Sequence, residues 1–245
     1  MNLPVPQSGN QKGFFMEIKP IAHIQNEFYE KFGIPRQSGL VSLPARILFE
    51  PTYRNPAAFR GLEGFSHIWL LWEFSESIRT QWSPTVRPPR LGGNRRMGVF
   101  ATRSPFRPNP IGLSVVRLEE IVLTGSDVPF LIVSGADLMN GTPIYDLKPY
   151  LPHIDSIPDA KGGFAESAAH HRLEVVFPAY LLEQVPVHLR AGLQELLAQD
   201  PRPSYQHDTA RIYGFSFGGM EVRFRVDKTE LTVTEIIPSI EKPDA

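Results

Sequence analysis

The sequence predicts a mainly β protein, in which an N-terminal antiparallel β-barrel domain is followed by a small C-terminal α+β domain. Two observations favour this fold class. About six or seven strand-like runs precede Tyr150 with hardly a helical pattern between them, which is typical of a closed antiparallel sheet and not of a doubly wound α/β domain. A linker-like stretch then leads to one helical leucine pattern and further strands. We therefore expect a barrel domain at 16–158, a linker at 159–170 and a second domain at 171–240.

The first half of the chain carries most of the strand patterns. Residues 1–15 are polar and without period, so a flexible tail is expected there. Asn55 before Pro56 predicts a capped short helix that continues through Phe59. The most apolar run, 65–74, is rich in aromatic residues and predicts a buried central strand. Strands are also expected at 17–24, 41–49, 98–102, 113–123, 128–133 and 144–147.

The region after residue 171 combines one helix with several strands. Leucines recur at helical spacing from Leu189 to Leu197, and Pro186 is expected to break the first half of this helix. Strand patterns follow at 210–217, 220–226 and 231–237, and the short turns between them predict a three-stranded meander. A further strand is expected at 172–177.

Composition excludes several classes of protein. The chain has 245 residues, 42% of them hydrophobic, and no cysteine. It can bury a sizeable core, but it has no disulfide, thiolate metal site or cysteine nucleophile. No apolar run approaches the roughly 18 residues of a membrane-spanning helix, and the N-terminus lacks the pattern of a signal peptide. A cytoplasmic location is therefore expected.

Motifs of common nucleotide- and metal-dependent enzymes are missing from the sequence. It contains no Gly-x-Gly-x-x-Gly between a strand and a helix, no phosphate-binding P-loop and no His-Glu-x-x-His. His67 has no second histidine at metal-ligand spacing. We expect no metal, and any nucleotide-like cofactor has to be bound by loops around the barrel.

Positive charge is concentrated in one segment. Residues 77–118 contain eight arginines and no Asp, Glu or Lys, although the whole chain has a net charge of −1. Arginine forms planar bidentate contacts with phosphate and stacks on bases, and Trp82, Phe100 and Phe106 lie among the arginines. An anionic partner such as RNA is favoured over a merely solvated face. The arginines expected to contact it are Arg87, Arg90, Arg95, Arg96 and Arg107.

A proline-rich loop lies at the centre of this segment. Three prolines within six residues, at 105, 108 and 110, fix φ angles and remove backbone donors. A rigid loop results, and it presents Arg103, Arg107 and Asn109 without having to order them at binding. The alternative is an ordinary connection between strands.

Six ordered sequence blocks carry a resemblance to a known family. They are Pro35-Arg36-Gln37, the run from Gly61 to Trp69, the run from Thr85 to Asn94, the proline-rich loop, Asp137 to Tyr150, and Asp200 to Tyr205. With these blocks, the sequence resembles the TrmO family of tRNA methyltransferases, which use S-adenosylmethionine (SAM) on the adenosine immediately 3′ of the anticodon. The resemblance covers most of the chain, from about residue 16 to about residue 237.

The resemblance implies a β-barrel methyltransferase that is a homodimer, and it implies a set of SAM-binding residues. These are Pro35, Arg36, Gln37, Ser75, Glu76, Arg103, Leu113, Asp137, Leu138, Met139 and Asn140. Many relatives have Asp where Asn140 stands, so this pocket is expected to carry one charge fewer. The implied acceptor is N6-threonylcarbamoyladenosine in tRNA, and Arg107 and Asn109 are expected to contact it.

The sequence leaves the general base and some functional alternatives open. Asp137 and Asp146 are the candidates for a catalytic proton acceptor. A different enzyme would keep the SAM site and methylate another RNA or a small molecule. A non-catalytic SAM- or RNA-binding module would use the proline-rich loop only as a scaffold.

Overall fold

The structure is a computed structural model that describes residues 17–88, 95–168, 172–202 and 208–239. The expected tail at 1–15 and Arg90 lie outside these ranges. Within them, no helix is long and apolar enough to cross a membrane.

An antiparallel barrel dominates the first part of the chain. The first eight strands are β1 (Ala22–Gln25), β2 (Pro44–Phe49), β3 (His67–Glu73), β4 (Thr85–Val86), β5 (Met97–Gly98), β6 (Ile111–Val122), β7 (Phe130–Ser134) and β8 (Pro143–Pro149). Six of them close into a barrel in the order β1-β2-β7-β6-β3-β8, and each neighbouring pair is antiparallel. The predicted fold class is therefore confirmed.

The barrel core follows the two-residue period of its strands. On β3, Ile68, Leu70 and Trp72 are buried while the residues between them are partly exposed. The run at 65–74 is thus buried on one face only, because the other face lies on the outside of the barrel. Gly112 on β6 pairs with Trp72, and a Cβ at this position would overlap the Trp72 indole. Glycine therefore allows the indole to lie directly against β6.

The prediction of a strand at 98–102 is wrong. β4 and β5 form a separate two-stranded ribbon, and directly after β5 the chain turns into a 3₁₀ helix, Val99–Ala101. The Thr102 hydroxyl donates to the Val99 carbonyl at 2.8 Å. This bond closes the turn and competes with continuation of the strand.

The C-terminal region is a four-stranded sheet covered by helices. After α1 (Pro152–Asp155), its elements are β9 (Glu174–Val176), α2 (Ala179–Leu182), α3 (Val187–Ala198), β10 (Tyr213–Phe217), β11 (Met220–Asp227) and β12 (Glu230–Pro238). The strand order is β10-β11-β12-β9. The meander is as predicted, and β9 adds a strand parallel to β12. The helical region is interrupted as expected, since α3 starts directly after the extended Pro186.

The connection between β1 and β2, residues 26–43, packs into the core of this C-terminal sheet. Phe28, Val41 and Leu43 belong to the same buried cluster as the residues of β10 to β12. Gly33 has a φ of 94° and lies so close to Phe215 that a Cβ would overlap its ring. The division of the chain at 159–170 stays a prediction, because an early segment of the barrel part contributes to the second core.

Candidate functional site

Four loops meet at one end of the barrel, where β1, β3 and β7 end and β2, β6 and β8 begin. We call this end the barrel mouth; its loops are 26–43, 74–77, 102–110 and 135–142. Backbone hydrogen bonds join them: Phe74 N–H to Pro110 O at 2.8 Å, Gly39 N–H to Gly135 O at 2.8 Å, and Asn140 N–H to Phe28 O at 2.7 Å. Nearly all of the expected cofactor-binding residues lie on these loops.

Asp137 occupies the inner side of the barrel mouth. The Ser114 hydroxyl donates to its Oδ1 at 2.5 Å, and the Trp72 indole N–H donates to the Ser114 hydroxyl oxygen at 3.0 Å. Ser114 is on the inward face of β6, where it is almost fully buried. A chain of hydrogen bonds therefore leads from the barrel core to the carboxylate, and it fixes the orientation of that carboxylate.

The surroundings of Asp137 raise its pKa above the usual aspartate value. Burial is the largest cause, because it disfavours the charged form; the hydrogen bond from Ser114, backbone N–H groups including that of Ser38, and the charge of Arg103 act in the opposite direction. The result is a carboxylate that accepts a proton more readily than an exposed aspartate does.

Gln37 and Arg103 lie beside this carboxylate. The Arg103 guanidinium donates to Gln37 Oε1 at 2.5 Å, and the Gln37 amide in turn donates to the Arg36 carbonyl at 2.5 Å. Arg103 is also close enough to lower the pKa of Asp137. The structure thus brings three residues from separate sequence blocks together at one place.

Arg36 contacts the C-terminal region. Its guanidinium donates to the carbonyls of Asp200 and Arg202 at 3.0 and 2.9 Å. The Arg202 side chain is itself buried and forms a bidentate pair with the Asp200 carboxylate, at 2.8 and 3.0 Å. The expected SAM-binding loop 35–37 is therefore anchored to the last part of the chain.

Other expected cofactor residues have structural contacts of their own. The Asn140 side-chain oxygen accepts from the Asn26 N–H at 3.0 Å, and the Asn26 amide donates to the Leu138 carbonyl at 2.8 Å. A carboxylate at position 140 would accept the same bond from Asn26, so an Asp in relatives is compatible with this geometry. Leu138 is fully buried, and its carbonyl is already bonded to Asn26, so it supports the mouth from within the core.

The remaining expected cofactor residues surround the same end of the barrel. Ser75 and Glu76 form a 3₁₀ turn after β3, and the Lys31 ammonium donates to the Glu76 carbonyl. Leu113 lies on the outer face of β6 and is 55% exposed. Pro35 is buried and Met139 is partly buried on the mouth loops.

Asp146, the second candidate base, does not join Asp137. It lies on the outer face of β8 in register with Leu71 of β3, and Lys148 pairs with it at 3.3 Å. It also borders a cleft of about 650 Å³ that is lined by Phe49, Phe65 and others at the opposite end of the barrel. The structure therefore separates the two carboxylates that the sequence leaves as alternatives.

The expected RNA-contacting arginines differ in their surroundings. Arg87, Arg95 and Arg96 are exposed on or beside the β4–β5 ribbon, while Arg90 lies outside the described residues. Arg107 donates from Nη1 to the Thr102 and Ser104 carbonyls at 2.9 and 3.4 Å. It therefore braces the proline-rich loop, in which Asn109 is exposed at a turn.

Sequence reasoning missed the residues that support the site. Ser114, Asn26 and Ser38 hold Asp137 and its neighbouring loops through the bonds described above. Ser114 had a detectable signal, because it is polar at an inward position between Gly112 and Val116 of an otherwise apolar strand face. Across the described ranges, no group of three or more His, Cys, Asp or Glu side chains is arranged to hold a metal ion.

Comparison with known proteins gives matches along most of the chain. The family model of the tRNA-methyltransferase O N-terminal domain matches residues 23–156, and that of the TrmO C-terminal domain matches residues 171–239. An Escherichia coli tRNA (adenine(37)-N6)-methyltransferase is 43% identical over 231 residues, covering 91% of this chain and 98% of its own. A Pseudomonas aeruginosa protein, named provisionally as an S-adenosylmethionine-dependent methyltransferase, is 42% identical over 224 residues, which cover 87% of this chain and 94% of that protein.

Solved structures agree with these sequence matches. A crystal structure of TrmO from Pseudomonas aeruginosa superimposes with a TM-score of 0.74 at 32% identity, and the match covers 92% of this chain and 98% of that chain. Sequence and three-dimensional structure therefore lead to the same set of relatives.

Proposed function

Since the chain belongs to the TrmO family of tRNA methyltransferases, we propose that its methyl acceptor is N6-threonylcarbamoyladenosine, immediately 3′ of the anticodon. Family membership gives the coarser activity, which is methylation of the adenine at tRNA position 37 on N6. The threonylcarbamoyl group is the finer part of the proposal. The observation that carries it is the partly buried Asp137 beside Arg103 at the barrel mouth, where burial raises the pKa of the carboxyl group.

SAM is the cofactor that relatives of this chain are named for, and the mouth residues fit it. The carboxylate of Asp137 suits a ligand that carries a sulfonium and an ammonium. The exposed Leu113 side chain offers an apolar surface for an adenine ring. Bound SAM supplies an electrophilic methyl group, and we assign its binding to Gln37, Arg103, Asp137 and their loop neighbours. No metal is needed for an in-line displacement, whose main requirement is alignment of the reactants.

Proton removal from N6 is the step that we assign to Asp137. Acylation of N6 by a carbamoyl group makes the remaining N–H more acidic. Burial raises the pKa of Asp137, so its carboxylate is a better proton acceptor than an ordinary aspartate. Asp137 would take the N6 proton in a displacement in which N6 gains the methyl group, the methyl–sulfur bond breaks and the sulfur leaves as a neutral thioether; proton transfer of this kind typically contributes about 10²- to 10⁴-fold in rate. Asp146 is the weaker candidate because it lies on the outer face.

Recognition of the threonyl carboxylate is assigned to Arg107. Its guanidinium is already held by the Thr102 and Ser104 carbonyls, so little conformational entropy remains to be lost when an anion binds. A site built to pair with this carboxylate leaves a charged group unsatisfied when the substrate lacks it. The arrangement therefore favours modified over plain adenosine.

The proposal extends to assembly and location. We include a homodimer, as in the resembled family; the side chain of Ile111, which is 40% exposed beside the barrel mouth, is available to a second subunit. Arginines of one subunit then reach the site of the other. A cytoplasmic location follows from the proposed tRNA substrate.

The acceptor is tested with one tRNA species purified from cells that can and cannot make threonylcarbamoyladenosine. We expect methyl transfer to the modified tRNA only, with the product identified by nucleoside analysis. Equal rates on both tRNAs refute the acceptor and leave the methyltransferase activity intact. Transfer to neither tRNA, together with no SAM binding by calorimetry, would favour a non-catalytic module.

A further inference from the structure

Two aromatic side chains form an exposed pair in the arginine-rich segment. Trp82 is 52% exposed and Phe100 is 73% exposed, and their ring centroids lie 6.1 Å apart at an angle of 33°. The Val99 N–H donates to the Pro84 carbonyl at 2.9 Å, which holds the two ring-bearing turns side by side. The pair is therefore built into the base of the β4–β5 ribbon and not formed by chance between mobile loops.

Phe106, the third aromatic residue of the segment, has a different environment. The Arg79 guanidinium lies over its ring at 3.6 Å from the centroid, and the Phe106 side chain is partly buried. Because of this cation–π contact, one face of the Phe106 ring is already occupied by a side chain of the same chain. Trp82 and Phe100, in contrast, offer most of their ring surface to solvent, and large exposed apolar surface of this kind marks a place where another molecule binds.

The charge around the pair indicates which kind of molecule binds there. Arg87, Arg95 and Arg96 are exposed on or beside the same ribbon, and residues 77–118 contain no acidic side chain. A second copy of this chain that met the patch with its own identical patch would bring like charges together. A nucleic acid supplies phosphates for the arginines and flat bases for the rings, a combination typical of single-stranded nucleic-acid sites.

We propose that Trp82 and Phe100 are a base-stacking site for an unpaired nucleotide of the tRNA substrate, and that the neighbouring arginines hold the flanking phosphates. The inference rests on the proposed function. The ribbon then recognises an unpaired loop of the tRNA, because bases within a duplex do not expose their faces to side chains. Substrate binding then has two separable parts, a charged part from the arginines and an uncharged part from the rings.

The test compares Trp82→Ala, Phe100→Ala and the double variant with wild type for tRNA binding over a range of salt concentrations. We expect the double variant to bind tRNA about 5- to 100-fold more weakly with an unchanged slope of log K against log salt, because no phosphate contact is lost. Replacing Arg87, Arg95 and Arg96 by Ala should instead flatten the slope. Tyr180→Ala, which removes an aromatic ring that is 66% exposed outside the segment, is the matched control.

Inorganic polyphosphate, which has phosphates but no bases, separates the two parts. It should bind wild type and the ring variants equally and should bind the arginine variant more weakly. Tryptophan fluorescence should be quenched when tRNA binds to wild type, and this quenching should be lost in Trp82→Phe. Unchanged tRNA affinity in the double variant overturns the stacking site, and so does a changed oligomeric state, which would make the patch a subunit interface. If wild type binds no tRNA, the proposed function itself fails.

Discussion

Asp137 and Asp146 are two carboxylates of the barrel with opposite environments. Asp137 is held at the mouth by Ser114 and by backbone N–H groups, and burial raises its pKa. Asp146 lies on the outer face, pairs with Lys148, and has a side chain that is 48% exposed. In the sequence the two residues are equivalent candidates for a general base. The difference shows that a carboxylate becomes chemically useful through the groups that surround it, which sequence spacing does not reveal.

The largest expected effect comes from neutralising Asp137, and neutralising Asp146 provides the comparison. Asp137→Asn keeps the size of the side chain but removes the proton acceptor, so we expect methyl transfer to fall by about 10²- to 10⁴-fold. Asp146→Asn should leave the rate nearly unchanged, because this carboxylate lies away from the mouth and its exposed ion pair with Lys148 contributes at most about 1 kcal/mol to stability. Single-turnover assays with saturating SAM and tRNA measure both effects.

The free energy of unfolding of these variants shows whether a loss of activity comes from the missing carboxylate or from a destabilised fold. The pKa of Asp137 is higher in the folded than in the unfolded protein, so its contribution to stability is fully present below the unfolded pKa and is lost as the pH rises through the folded pKa. At neutral pH the ionised form is disfavoured by the fold, and Asp137→Asn should not lower the free energy of unfolding. Inactivity that is accompanied by unfolding would contradict the assignment.

A smaller effect is expected from packing at the mouth. Gly112→Ala would press a methyl group into the Trp72 indole, and overpacking of this kind costs about 1–3 kcal/mol. Because Trp72 donates to Ser114, its displacement should also disturb Asp137. Gly98→Ala on the ribbon, where a Cβ meets nothing within 4 Å, is the control. Urea denaturation compares the two variants; equal stability would mean that the mouth is not tightly packed.

The smallest expected effect is a shift in the pH profile. Ser114→Ala removes a hydrogen bond that favours the charged form of Asp137, so the pKa of the carboxylate should rise further. The acid limb of the rate profile should move to higher pH, with little change on its alkaline side. Ser134→Ala, which removes a serine–glutamate hydrogen bond on the barrel exterior, should leave the profile unchanged. An identical acid limb in both variants would argue against Asp137 as the base.

The sequence predicted the barrel and part of the site for identifiable reasons. Strands such as β3 have a two-residue hydrophobic period, and their number before Tyr150 indicated an antiparallel closed sheet. The resemblance implied that Gln37, Arg103 and Asp137 bind SAM; the structure brings the three side chains close together, and their role in binding stays a prediction. The support from Ser114 could not be predicted, because it depends on the register between β3 and β6. The packing of residues 26–43 on the C-terminal sheet depends likewise on contacts between distant parts of the chain.

That packing has a consequence for the synthesis of the protein on the ribosome. Ser216 and Glu30, which are joined by a hydrogen bond, are 186 residues apart. At about 5–20 residues per second, roughly 10 to 40 s pass between their appearance. During this time Phe28, Val41 and Leu43 have emerged without the strands that bury them. The loop that carries Gln37 is made long before the strands on which its neighbours pack, so it can reach its packed conformation only after those strands have emerged.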